Sequence, residues 1–263
     1  MLPLYKLVLG PVLLMQARRL RRTALRLPEA AGPRYGIEGE QDARQPPLRI
    51  LVIGDSSAAG VGVEDQTQAL AQPVAKLLAT KLGRSVKWQL VAKSGVNTEE
   101  SLALLTHSEL KPADFLVTAL GTNDVTSQRA PGQFLQDYRR LVEEVRHRTG
   151  AVGLVATGLP PLRILPAAQH PLRWYLGRYA ARLDSMLQRW ISQDAAARYV
   201  SLDWAAKPLE MARDRFHPGA GQYRRWAELV SEQILELLTA TGNGSGFHPS
   251  HPGQGDHQVS GTR

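Results

Sequence analysis

The chain has 263 residues, 43% of them hydrophobic, which suffices for one α/β domain with a sizeable core plus terminal arms. It has no cysteine, which excludes disulfides, thiolate nucleophiles and Cys-ligated metal. Of the formal charge of +8, six units lie in residues 1–34, where Lys6, Arg18, Arg19, Arg21, Arg22, Arg26 and Arg34 are opposed by Glu29 alone. A nucleic-acid enzyme would more often spread basic charge over its folded face, so no nucleic-acid partner is expected.

Residues 1–34 read as a basic amphipathic arm. Its apolar stretch, Leu7 to Met15, is too short for a membrane-spanning helix, which needs about 20 residues. Most of the positive charge follows that stretch and no A-x-A site is visible, unlike a secretory signal. The expectation is a cytoplasmic protein, with peripheral contact to the inner face of the membrane as one option. After Pro11, Leu13, Ala17, Leu20, Ala24 and Leu27 recur at steps of four and three, with the arginines largely off that stripe. Such a helix suits two uses equally: contact with an anionic membrane, or packing on the protein's own core.

The Pro-, Gly- and charge-rich stretch from residue 28 to 48, with 35–48 as the linker proper, separates the arm from a domain expected over 49–240. Strands are predicted at Leu48 to Ile53, Val86 to Ala92, Asp114 to Leu120, Ala151 to Thr157 and Arg198 to Leu202. Helices are predicted at Gln66 to Leu82, Thr98 to Thr106, Pro131 to His147, from Pro171 to near Gln193, and within Pro218 to Leu238. Strands that alternate with helices imply an α/β fold: a five-stranded parallel sheet with helices on both faces, because parallel neighbours need crossovers. The tail 241–263 is rich in Gly, Ser, Pro, His and Gln and is expected to be disordered.

Small polar residues cluster at the strand ends. The first strand runs into Gly54-Asp55-Ser56-Ser57-Ala58-Ala59-Gly60-Val61-Gly62, the second into Lys93-Ser94-Gly95-Val96-Asn97-Thr98, and the third into Gly121-Thr122-Asn123-Asp124. Beyond the fifth lies Asp214-Arg215-Phe216-His217-Pro218. All these tips belong to one rim of the sheet, where open α/β folds gather their sites. Acyl transfer needs a nucleophile, a base, an orienter for the base and donors for an oxyanion. Ser56 fits the first role, His217 the second and Asp214 the third. The backbone N–H groups of Ser56 and Gly95 and the uncharged amide of Asn123 can converge on one oxygen.

These blocks resemble those of the SGNH, or GDSL-type, esterases and lipases. GDSSAAGVG is similar to the first block of that family, SGVNT to the second, GTND to the third and DRFHP to the fifth, in the family's order. The resemblance implies a flavodoxin-like three-layer α/β/α sheet and metal-free, cofactor-free hydrolysis of acyl esters or thioesters, lipids included. It implies Ser56 as nucleophile, His217 as base, Asp214 as its partner, and Gly95 and Asn123 as oxyanion donors. Three positions depart from the family pattern: Ser57 in place of Leu, Lys93-Ser94 before Gly95, and Arg215 where a small residue is frequent.

Other assignments compete. The same fold can serve as a non-catalytic binding module, and the same site can transfer its acyl group to a sugar or lipid instead of water. Asp55, Asn97 and Asp124 are read as turn formers, Asp203 as a rival orienter of His217, and Trp174 and Tyr175 as packing residues that can also line an acyl pocket. His107, His147 and His170 lack an Asp three residues upstream, and His248, His251 and His257 lie in the tail.

Overall fold

The structure, a computed structural model, describes residues 2–242. It opens with helix α1 (Leu2–Thr23) and a short strand β1 (Tyr35–Glu38). The apolar runs then form β2 (Leu48–Gly54), β3 (Val86–Ala92), β4 (Phe115–Ala119), β5 (Gly153–Thr157) and β6 (Ala197–Val200). Between and after them lie α2 (Ala71–Leu82), α3 (Thr98–Thr106), α4 (Thr122–Thr126), α5 (Pro131–Thr149), α6 (Leu172–Ile191) and α7 (Ala220–Gly242).

The strand order is β1-β3-β2-β4-β5-β6, with β2 to β6 parallel. The five parallel strands are those expected, and among the described residues the sheet has a sixth, the antiparallel β1. Residues 35–48 are not wholly a linker: β1 pairs antiparallel with β3 in the register Tyr35↔Gln89 to Glu38↔Val86. Without β1, the edge of β3 would present a row of unpaired backbone groups. The helix expected from Gln66 begins instead with a short 3-10 turn, Gln66–Gln68, capped by Asp65, before α2. Of the tail expected over 241–263, residues 241 and 242 still belong to α7, and the remainder lies outside the described residues.

Period-two alternation sends neighbours on β2 to opposite faces. Leu51 and Ile53 join a core with α3, α5 and α6, whereas Ile50 and Val52 join a second core with α2 and α7. The three-layer α/β/α arrangement follows. The crossover from β2 to β3 carries α2 on one face, and that from β3 back past β2 to β4 carries α3 on the other, so the strand order reverses beside β2 and opens a crevice at its carboxyl end. Ser56 stands two residues beyond that end.

The arm does not stand apart from the domain. Leu13 is buried in the core on the α6 side, and Leu2, Tyr5, Leu9, Ala17 and Leu20 pack against it. Tyr5 meets Trp174 at 4.4 Å between ring centroids, and Gln16 hydrogen-bonds the His170 carbonyl (2.8 Å) and the Leu172 N–H (3.0 Å).

Candidate active site

After β2 the chain turns tightly. The Ala59 N–H donates to the Asp55 carbonyl (2.9 Å) and the Val61 N–H to that of Ser56 (3.0 Å). The turn is clamped from outside. The buried Tyr223 hydroxyl on α7 lies 2.8 Å from the carbonyls of both Ser57 and Val61, and Gln66 Nε2 donates to the Ala59 carbonyl at 3.1 Å. Asp55 is buried, and its Oδ1 accepts the Ser57 N–H at 3.0 Å. Burial pushes the Asp55 carboxyl up to about 6, against the Ser57 amide and the nearby His217.

The loop before α7 supplies the other half. Asp214 Oδ1 accepts the N–H groups of Phe216 and His217, each at 3.0 Å. Its Oδ2 lies 2.5 Å from His217 Nδ1, and His217 Nε2 lies 2.8 Å from Ser56 Oγ. Burial raises the Asp214 carboxyl, but the hydrogen bonds from the His217 ring and amide hold it below its ordinary range. Arg215 adopts φ +58, the left-handed turn that lets Asp214 and His217 face each other, and its side chain is exposed. Asp203 is exposed and pairs with Arg163 at 3.6 Å, so it does not orient His217.

The two loops meet at Gly62. Its φ is +111, and an added Cβ would lie 2.3 Å from the Pro218 carbonyl oxygen and 3.0 Å from Ala212 Cβ. Gly62→Ala must therefore push the loop of Ser56 away from that of His217. A misplacement of about 1 Å in such a site costs roughly a hundredfold in rate. A fall of that size in kcat/KM on a soluble ester, with the protein still folded by circular dichroism, is the expected result.

Gly95 and Asn123 stand around the same space as Ser56 and His217. Gly95 takes φ +86 and an added Cβ would meet no atom within 4 Å, so the glycine is required by backbone conformation and not by crowding. Neither the Ser56 N–H nor the Gly95 N–H has a hydrogen-bond acceptor among the described residues. Asn123 differs. Its Nδ2 lies 2.9 Å from the Val96 carbonyl and 3.3 Å from Asp55 Oδ2, so both of its hydrogens are engaged. An oxyanion would have to take one of them, and the longer contact to Asp55 is the easier to exchange.

The presumed turn formers each have a defined place. Asn97 caps α3 in a reciprocal box with Glu100. Asp124 is buried and accepts from the Thr98 N–H (3.1 Å) and Oγ1 (2.8 Å), which ties the loop of Asn123 to that of Gly95. Burial pushes the Asp124 carboxyl up to about 6. Glu29 was not singled out from the sequence, yet its Oε1 accepts the Ser94 N–H at 2.7 Å, beside Gly95, and its other oxygen pairs with Arg34.

Ser56, Gly95, Asn123 and His217 floor a groove of about 430 Å³. Its walls are mostly apolar, with Leu20, Ala24, Leu25 and Leu27 from the arm and Leu172 and Leu176 from α6, but Arg21 and Arg26 of the arm also border it. Trp174 and Tyr175 pack with Tyr5 and do not border it.

A model of the GDSL-like lipase/acylhydrolase family matches residues 52–254. The GDSL-like esterase Rv1075c of Mycobacterium tuberculosis (strain ATCC 25618 / H37Rv) is 26% identical over 201 residues, which cover 73% of this chain and 63% of that protein. The matched chain thus spans less than two thirds of that relative. Among solved structures, the lipase Lip_vut3 from a goat rumen metagenome is similar at TM-score 0.56 and 18% identity, over 72% of this chain and 97% of its own. A carbohydrate esterase family 2 enzyme with a carbohydrate-binding domain from Corynascus thermopiles (Myceliophthora fergusii) is similar at 0.57 and 17%, over 76% and 69%. At these identities the structures attest the shared fold. With the family model covering most of the chain, the chain belongs to the GDSL-like lipase/acylhydrolase family.

Proposed function

We propose that the protein is a serine hydrolase of carboxylic esters that works through an acyl-enzyme on Ser56. The observation that carries this reading is the continuous relay from Ser56 Oγ to His217 Nε2 at 2.8 Å and from His217 Nδ1 to Asp214 at 2.5 Å. Ser56 Oγ attacks the ester carbonyl carbon while His217 Nε2 takes its proton. The carbonyl oxygen becomes an oxyanion held by the N–H groups of Ser56 and Gly95 and by Asn123, once Asn123 releases its 3.3 Å contact to Asp55. The tetrahedral adduct collapses, the C–O bond to the alcohol breaks, and His217 returns its proton to the leaving alkoxide. Water then enters, His217 removes its proton, and the second adduct releases the carboxylic acid and restores the Ser56 hydroxyl. Asp214 keeps the His217 ring in the tautomer that leaves Nε2 free to accept.

The apolar walls of the groove favour an acyl chain longer than acetyl, as in a lipid ester or thioester. Each methylene buried there contributes about 0.8 kcal/mol. On a panel of p-nitrophenyl esters and acyl thioesters from two to twelve carbons, kcat/KM should rise through the medium chains. A maximum at acetyl would reject the lipid assignment and leave the hydrolase reading standing.

A further inference from the structure

We propose that α1 docks the protein on the surface of an anionic phospholipid bilayer. The proposal rests on the lipid-ester reading of the groove and names where that ester is met. The inner side of α1 is occupied by its packing on α6, but the outer side is not. Leu7, Val8, Leu14 and Met15 are 79%, 67%, 51% and 64% exposed. At 100° per residue, Leu7, Leu14 and Met15 fall on one outward stripe with Pro11, and Arg18 and Arg22 continue that stripe into the second half of the helix. Exposed apolar side chains of this size, grouped on one face, call for a partner.

Charge decides which partner. Arg18, Arg19 and Arg22 have no carboxylate partner among the described residues, and Pro11, Leu14 and Met15 border one shallow surface concavity with them. A second copy of this face would bring like charges together, whereas lipid phosphates complement them. No described helix is long and apolar enough to cross a membrane. A helix of this kind lies in the headgroup plane with its apolar residues among the acyl chains.

The same helix connects the lipid surface to the chemistry. Ala17 and Leu20, on its inner side, border the groove that holds Ser56. Docking therefore puts one wall of that groove on the element that touches lipid, so that an ester leaving the bilayer has an apolar route to the nucleophile.

The test uses the full chain and sedimentation with vesicles of phosphatidylcholine alone or with a third phosphatidylglycerol. The expected result is binding to the anionic vesicles, weakened at least tenfold without phosphatidylglycerol, in 0.5 M salt, and in both L7E/L14E/M15E and R18Q/R19Q/R22Q. Turnover of a soluble butyrate ester should stay within twofold of the parent in both variants, which shows that they are folded. No binding by the parent chain, or undiminished binding by either variant, would overturn the proposal. So would a concentration-dependent dimer that the glutamate variant abolishes, since that would assign the face to a second copy. Failure of Ser56-dependent soluble turnover would instead strike the hydrolase reading itself, whatever the vesicles do.

Discussion

Ser56→Ala should lower kcat/KM on a soluble acyl ester by about 10⁴-fold or more while leaving stability within about 0.5 kcal/mol. The two halves of that expectation rest on separate observations. The hydroxyl is the only side-chain oxygen within reach of His217 Nε2 among the described residues, so its removal leaves no atom to form the acyl-enzyme. The turn that carries it does not depend on the hydroxyl. It is held by its own backbone bonds, by Tyr223 on the Ser57 and Val61 carbonyls, and by Gln66 on Ala59. The residual rate should equal what the oxyanion donors and the groove provide for attack by water. Initial rates on p-nitrophenyl butyrate, paired with a thermal melt, check both halves. A variant that melts many degrees lower would mean that the hydroxyl also supports the turn.

Asp214→Asn should cost a similar factor, about 10⁴-fold in kcat, by a different route. The carboxylate uses both oxygens: Oδ1 takes the Phe216 and His217 amides, and Oδ2 takes the ring nitrogen Nδ1. An amide in its place keeps one acceptor for the backbone and sets an NH₂ group against Nδ1. The ring then accepts at Nδ1 and carries its proton on Nε2, the nitrogen that faces Ser56 Oγ, where it can no longer act as a base. Stability should change in a pH-dependent way. The folded carboxyl sits below its unfolded value, so the charge stabilises the fold above about pH 4, and this is lost as pH falls through the folded value. The variant should lack that acid-side loss. Chemical denaturation at pH 3, 4 and 7 measures it, and equal acid sensitivity in both proteins would refute the assignment.

The legible parts of the fold were those whose signal is local. β2, β4 and β5 are largely apolar runs ended at or within two residues by glycine, β3 is a strand with alternating apolar and polar residues, and α2, α5 and α7 carry helical periodicity with a stop or start residue. β1 was hidden because Tyr35–Glu38 has only four residues, one of them glycine, with none fully buried, and it is a strand because the edge of β3 accepts it. α4 was hidden inside the GTND block, which reads as a turn until Gly121 at φ +122 starts a short helix.

The site divides in the same way. Ser56, Gly95, Asn123, Asp214 and His217 could be found because each belongs to a short block of unusual composition at the tip of an element. Tyr223 and Glu29 could not. Tyr223 acts on a carbonyl 166 positions away, and a buried tyrosine on an amphipathic helix is indistinguishable in sequence from core. Glu29 reaches Ser94 across 65 positions from a segment that resembles a linker. The periodicity of the arm announced a helix with one apolar stripe, but not that the helix would end at Thr23, nor that Leu7, Leu14 and Met15 would remain on the outside after Leu13, Ala17 and Leu20 had packed on the core.

The central claim, that one activated serine does the chemistry, is tested most directly by a fluorophosphonate probe followed by peptide mapping. The account predicts a single stoichiometric adduct on Ser56, absent after His217→Ala and suppressed by a competing acyl ester. An adduct on any other serine, or full ester turnover in a protein that the probe leaves unmodified, would contradict it.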